Sequence, residues 1–349
     1  MKLSCVSRGI PIWLAGIVLG GVSVVVPLSA QVSLTGAGAT FPAPIYQKWF
    51  NDYQSVGKVE INYQPNGSGG GIKAITEGTV DFGASDFPMT DDQLNVYKSK
   101  NNGTSILLFP TVLGAAVPTY NVPGVTQELN FTSEALAGIF LGTIKTWNDP
   151  AIAGANPGVK LPNSKIVVVH RSDGSGTTFC WTDYLSKVSA EWKSKVGRNT
   201  SVDWPAGLGG KSNDGVTALV KQQPGSLGYV ELVYAVKNHL PYGKVKNRDG
   251  EFVKADLESI AAAAATLKTI PPDFRVSITD QPGKGVYPIS TFTWLLVPSK
   301  ISDSSKRQAL AGFLKWAITT GQNSVEALDY ARLPKQVVAK EETAIAQIK

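Results

Sequence analysis

Apolar and polar positions along this chain fall into a recurring order of short strand, loop and helix. Val59-Glu-Ile-Asn-Tyr63 alternates, as a strand with one buried face should. Lys165-Ile-Val-Val-Val-His170 is a nearly continuous apolar run, suited to a strand covered on both faces. Further strands are predicted at 81–86, 105–109, 114–120, 227–231 and 289–298. Helices are predicted at 43–53, 133–140, 178–188, 215–222, 254–268 and 304–320, with Gly321 stopping the last. This alternation predicts an α/β architecture with mainly parallel sheets.

Three of the strand-to-helix turns share one composition. Ser33-Leu-Thr-Gly-Ala-Gly-Ala-Thr-Phe-Pro42 leads into a helix whose first turn can hold Pro42 and Pro44. Asn66-Gly-Ser-Gly-Gly-Gly71 leads into a short helix from Ile72, and Arg171-Ser-Asp-Gly-Ser-Gly-Thr177 into one from Thr178. A helix start carries unpaired N–H groups and about half a positive charge, and glycine lets a ligand approach the backbone. In an open α/β sheet ligands bind beyond the carboxyl ends of the strands, where these loops lie. Three such loops, with Arg171, point to a socket for a small multi-oxygen anion.

Phosphate and catalytic motifs of other kinds fail. Thr35-Gly-Ala-Gly-Ala-Thr-Phe41 has Phe41 where a dinucleotide fingerprint needs Gly or Ala. Gly207-Leu-Gly-Gly-Lys-Ser212 resembles the end of a P-loop, but Pro205 occupies the first glycine position, and Asn213-Asp-Gly215 reads as a turn. Gly174-Ser-Gly176 is not a nucleophile elbow. Of the two histidines, His170 is expected to pack or face water, and no cysteine or histidine cluster suggests a metal. No catalytic residue, metal or cofactor is therefore expected.

Asp86 stands apart, a carboxylate ending a strand beside an anion socket. It is either a cap or turn residue near Thr90-Asp-Asp92, or an acceptor for a ligand O–H, which hydrogen phosphate has and sulfate lacks. Arg171 and Asp173 are either a surface pair or a guanidinium steadied at the head of the third loop.

The 349 residues are 43% hydrophobic and 17% charged, an ordinary globular balance with room for two domains. Residues 1–30 differ. Lys2 and Arg8 precede an apolar run to about Val26, and Leu28-Ser-Ala30 is a small-residue exit, the plan of a cleaved signal peptide. Gly16, Gly20, Gly21 and Ser23 interrupt the run and no basic flank follows, which disfavours an uncleaved anchor. Removing Lys2 and Arg8 lowers the formal charge from +6 to +4, and without a basic stripe nucleic acid is not an expected partner. Cys180 is then the single thiol, expected as a small core residue.

The residues also resemble a known family. Leu34-Thr-Gly-Ala-Gly-Ala-Thr-Phe-Pro-Ala-Pro44, Val80-Asp-Phe-Gly-Ala-Ser-Asp86, Arg171-Ser-Asp-Gly-Ser-Gly-Thr177, Trp204-Pro, Asn213-Asp-Gly215, Gly228-Tyr-Val-Glu231 and Leu328-Asp-Tyr330 are similar, in this order, to periplasmic phosphate-binding proteins of the high-affinity phosphate ABC transporter. The resemblance implies a two-lobed α/β Venus-flytrap fold with two crossing hinge strands near 119–121 and 286–288. Lobe one would comprise 31–120 and 287–349, and lobe two 121–286. It implies a monomeric periplasmic protein that binds inorganic phosphate and hands it to membrane permease subunits. The contacts carried over are Thr40 and Phe41 (largely backbone), Ser68, Asp86, Arg171, Ser175, Gly176 and Thr177. Gly69 departs from relatives that have a second serine there. A secreted phosphatase and a binding protein for another tetrahedral oxyanion are the alternatives.

Overall fold

The computed structural model describes residues 1–4, 9 and 31–349; the signal-peptide expectation for 1–30 falls almost wholly outside them. From residue 31 the chain runs β1 (Val32–Gly38), α1 (Ala43–Gly57), β2 (Val59–Gln64), α2 (Ser68–Thr76), β3 (Phe82–Ser85), α3 (Asp91–Lys100) and the long β4 (Ile106–Asn121). It continues through β5 (Asn130–Phe131), α4 (Ser133–Phe140), α5 (Pro150–Ala153), β6 (Val167–Arg171), α6 (Gly176–Val188), α7 (Ala190–Lys195), β7 (Leu208–Gly210), α8 (Ser212–Gln222), β8 (Ser226–Glu231) and α9 (Leu232–Lys237). Then come β9 (Lys244–Lys246), β10 (Phe252–Val253), α10 (Leu257–Ala265), β11 (Ser290–Pro298), α11 (Ser304–Ile318), two 3-10 turns and α12 (Lys335–Ile345).

Local chemistry explains the element starts. Pro44 sits in the first turn of α1, and Ile45, Tyr46, Trp49, Phe50 and Tyr53 form its buried stripe. Thr90 and Gln93 make a capping box on α3, and Thr132 caps α4. Gly321 does not cap α11; its carbonyl accepts from the Trp49 indole at 2.9 Å inside a 3-10 turn.

Eight strands form one sheet in the order β2-β1-β3-β11-β4-β8-β6-β7. Its outer parts are parallel as expected: β1 pairs with β2 and β3, and β6 with β7 and β8. Its centre is not, because β11 pairs antiparallel with β3 and β4, and β4 antiparallel with β8. The sheet is therefore mixed. β4 is also one strand where two were predicted. Pro110 pairs with Trp294 where the register skips Thr111, so β4 itself carries the extra residue. A proline is tolerated at such an irregularity because the missing N–H falls where the ladder is already interrupted.

β4 serves both halves of the α/β fold. Its residues from Ile106 to Ala115 pair with β11, and from Ala116 to Asn121 with β8. The returning segment before β11 meets it at that change of partner, where the Tyr287 hydroxyl donates to the Ala116 carbonyl at 3.1 Å. Beyond α11 the chain docks back: Leu113 and Ala331 exchange N–H···O bonds of 3.0 Å each, and the Tyr330 hydroxyl donates to the Phe41 carbonyl at 2.6 Å.

That last bond fixes the first loop from inside the core. Tyr330→Phe leaves the buried Phe41 carbonyl without its donor, and is expected to lower unfolding free energy by about 1–3 kcal/mol in urea titration with an unchanged m-value. An unaltered midpoint would mean that the hydroxyl adds nothing there.

Candidate functional site

The parallel strands deliver the three Gly/Ser/Thr loops to one place. β1 ends at Gly38, and the following turn sets Thr40 and Phe41 ahead of α1. Their carbonyls accept from the hydroxyls of Tyr234 and Tyr330, each at 2.6 Å. The second loop turns at Gly67, whose φ of 94° lies in the region that favours glycine, and its N–H donates to the Gly38 carbonyl at 2.8 Å. Helix α2 starts at Ser68, four residues before the predicted Ile72, so Ser68 itself stands in its first turn. Helix α6 likewise starts at Gly176 rather than Thr178, with the Ser175 hydroxyl capping it by accepting the Thr178 N–H at 3.1 Å.

Ser68 joins the loops. Its hydroxyl oxygen accepts the N–H of Asp86 at 3.2 Å and the N–H of Gly176 at 3.1 Å, and its proton points to Asp86 Oδ2 at 3.4 Å. Gly176 is pressed against this pair. A Cβ there would lie 2.5 Å from Ser68 Oγ and 2.7 Å from Asp86 Oδ2, so the backbone can approach the carboxylate only as glycine. Gly69 makes a second close approach: its N–H donates to the Gly174 carbonyl at 2.9 Å, and a Cβ would meet Gly174 Cα at 3.1 Å. A serine at this position would have to displace the third loop slightly.

The two charges are handled differently. Arg171 is 3% exposed and is gripped in a fork by Asp173, Nε to Oδ1 at 2.7 Å and Nη2 to Oδ2 at 2.6 Å. This pair is no surface bridge. Burial pushes the Asp173 carboxyl up, but the hydrogen bonds and charge of Arg171, with the Ser212 N–H, hold it below the usual carboxylate range. Nη1 of Arg171 remains toward Thr177 Oγ1 at 3.5 Å. Asp86 is neither a helix cap nor a surface turn. It is 2% exposed, and burial raises its pKa to about 7 against the pull of the Thr293 hydroxyl, which donates to Oδ1 at 2.9 Å, and of the Arg171 charge.

All eight residues named from sequence thus lie in one buried cluster: Thr40, Phe41, Ser68, Asp86, Arg171, Ser175, Gly176 and Thr177. Two polar groups that serve it were missed. Thr293 comes from β11, 207 positions from Asp86. Asn213 was placed in a turn but stands in the first turn of α8, and its amide donates to Thr40 Oγ1 at 2.9 Å and Thr177 Oγ1 at 3.3 Å. Thr293 has no local signal, and Asn213 lies in a family motif that by itself assigns it no role, since each acts across the fold. His170 stacks on Trp204 with ring centroids 4.8 Å apart, and burial lowers its pKa. Cys180 is a buried core thiol. Among the described residues no three His, Cys, Asp or Glu side chains gather as metal ligands.

Residues 25–320 match the family model described as a PBP superfamily domain. A phosphate-binding protein PstS from Xylella fastidiosa is 44% identical over 310 residues, covering 88% of this chain and 83% of the relative. One from Haemophilus influenzae is 42% identical over 315 residues, covering 90% and 92%. The chain belongs to the PstS family of phosphate-binding proteins. Among solved structures, a phosphate-binding protein from Stenotrophomonas maltophilia superposes with a TM-score of 0.68 at 20% identity, covering 89% of this chain and 93% of that one. A high-affinity periplasmic phosphate-binding protein, PfluDING, reaches 0.74 at 21% identity with the same coverage. These neighbours share the two-lobed fold of the PstS family. In this chain β11 and β4 stand at the middle of the eight-stranded sheet, and the carboxyl ends of β1, β2, β3 and β6 lead into the cluster.

The burial of Asp86 has a consequence for stability. A carboxyl whose folded pKa of about 7 exceeds its unfolded value of 3.8 destabilises the fold progressively as pH rises between the two, by at most about 4 kcal/mol. In phosphate-free buffer the Tm of Asp86→Asn relative to wild type should therefore climb between about pH 4.5 and about pH 8. A constant offset across that range would show that Asp86 does not titrate within it.

Proposed function

We propose that this protein binds inorganic phosphate in the periplasm and passes it to the membrane permease subunits of a phosphate ABC transporter. The observation that carries the reading is a single buried carboxylate, Asp86, set among N–H and hydroxyl donors with one paired guanidinium. Donors from loop backbones, Thr40, Ser175, Thr177 and Arg171 suit unprotonated oxygens, while the Ser68 proton is turned to Asp86. Asp86 supplies the acceptor that one protonated oxygen requires, and phosphate has both kinds. The clasp of Asp173 leaves Arg171 largely neutralised, so the ligand meets directed donors rather than one strong free charge. The curated relatives are named for binding phosphate, which supports a binding protein rather than a phosphatase. The sequence plan of residues 1–30 supports export, and one protomer suffices for the whole cluster.

The two halves of the fold, residues 31–120 with 287–349 and residues 121–286, act as the lobes of a clamp in this reading. Thr40, Ser68 and Asp86 come from the first, and Arg171 and Ser175 to Thr177 from the second. Ligand that touches both favours the closed arrangement by its differential contacts.

Calorimetry with phosphate tests the reading. Wild type should bind phosphate, with sulfate far weaker, and Arg171→Ala should lose about 2–4 kcal/mol, thirtyfold or more, with the fold retained. A loss under about threefold would place Arg171 outside the ligand's contacts.

The pKa of Asp86 sharpens the test. Below about pH 7 its carboxyl is protonated and can donate to a sulfate oxygen; above, the bare carboxylate rejects one. The ratio of phosphate to sulfate affinity in wild type should therefore rise with pH through about 7 relative to the same ratio in Asp86→Asn, where only phosphate's own ionisation acts. A wild-type ratio that runs parallel to the mutant's would assign sulfate rejection to another group.

A further inference from the structure

Asn213 occupies an unusual position between the two sides of the site. Its amide is fully buried, at the N-terminal end of α8. The orientation of that amide is settled by a backbone donor: the Glu231 N–H gives its hydrogen to Asn213 Oδ1 at 3.0 Å. The other end must then be the NH2 group, and it donates to Thr40 Oγ1 at 2.9 Å and to Thr177 Oγ1 at 3.3 Å. Thr40 is further tied through its carbonyl to Tyr234, two residues into α9, and Glu231 itself caps α9 through Oε2 and the Val233 N–H at 2.9 Å. Burial pushes the carboxyl of Glu231 well up.

A hydroxyl that accepts from an amide N–H has one lone pair engaged and its proton free to point elsewhere. Both threonine hydroxyls accept from Asn213, and Thr177 also faces Nη1 of Arg171 at 3.5 Å. Neither can turn its proton back toward these donors without breaking a bond. We propose that Asn213 is a positioning residue that fixes the Thr40 and Thr177 hydroxyls as donors toward the bound anion, one from each side of the cleft. The proposal rests on the phosphate-binding reading. It makes Asp86 the acceptor side chain of the set and divides the site into donors imposed by Asn213 and one acceptor held by Thr293 and Ser68.

The test is a double-mutant cycle read by phosphate calorimetry. Asn213→Ala should weaken binding about tenfold, the loss of two oriented hydrogen bonds. Thr40→Val/Thr177→Val removes the hydroxyls that Asn213 orients. Adding Asn213→Ala to that background should cost less than about twofold more. A full tenfold loss in both backgrounds would overturn the proposal, because Asn213 would then act without the hydroxyls. Should Asn213→Ala fail to fold by circular dichroism, the near-isosteric Asn213→Asp carries the test. Its second oxygen accepts from the hydroxyls and turns their protons away from the ligand. It should lose at least a hundredfold in affinity in the wild-type background and much less in the double-valine background, where an added charge alone would act equally in both. Wild type that binds no phosphate would defeat the functional reading and this inference together, whereas wild-type binding with an additive cycle defeats only the inference.

Discussion

The molecule is organised around one strand that belongs to two arrangements at once. β4 is 16 residues long, and its hydrogen-bonding partner changes from β11 to β8 between Ala115 and Ala116. Everything on one side of the change hangs on β11, β3, β1 and β2, and everything on the other on β8, β6 and β7. Because β1 and β3 are parallel to one another, as β6 and β8 are, each half sends its loop-bearing strand ends toward the same place. The antiparallel centre follows from the same constraint, since β4 and β11 pass between the halves in opposite directions.

At that place the central physical problem is charge in a dry environment. The fold handles its cation by full pairing, with Asp173 fixed in a two-bond fork to Arg171. It handles its anion by tolerating it: Asp86 has hydroxyl and backbone neighbours and no direct cation, and its raised pKa records the cost. A carboxyl perturbed in this way marks a candidate functional site. Glycine is needed for the same reason of space. At Gly176 no side chain fits between the helix start and the Ser68–Asp86 pair.

Much of this was legible in the chain. Strand, Gly/Ser/Thr loop and helix recur because a parallel strand feeding a helix needs a tight turn, and the turn residues are those that leave backbone donors free. The cluster of eight residues follows from that composition, from Arg171 and Asp86 as charges at strand ends, and from the family motifs that carry them. Boundaries were less legible. The helices α2 and α6 begin earlier than expected because Gly69 to Gly71 and Gly176 sit inside first turns, where contact with neighbouring loops outweighs poor helix propensity.

The sequence by itself determined the alternating elements, the loop chemistry and the sign of each charge, because these depend on neighbours a few residues away. Only the tertiary structure decided that Pro110 lies within a continuous strand, since the skip at Thr111 that tolerates it exists only in the pairing with β11, nearly two hundred positions on. It alone decided that Thr293 and Asn213 serve the site, for their partners are 207, 173 and 36 residues distant. It alone made Asp86 a carboxylate with a pKa near neutrality, because desolvation is a property of the packed surroundings and of no residue type.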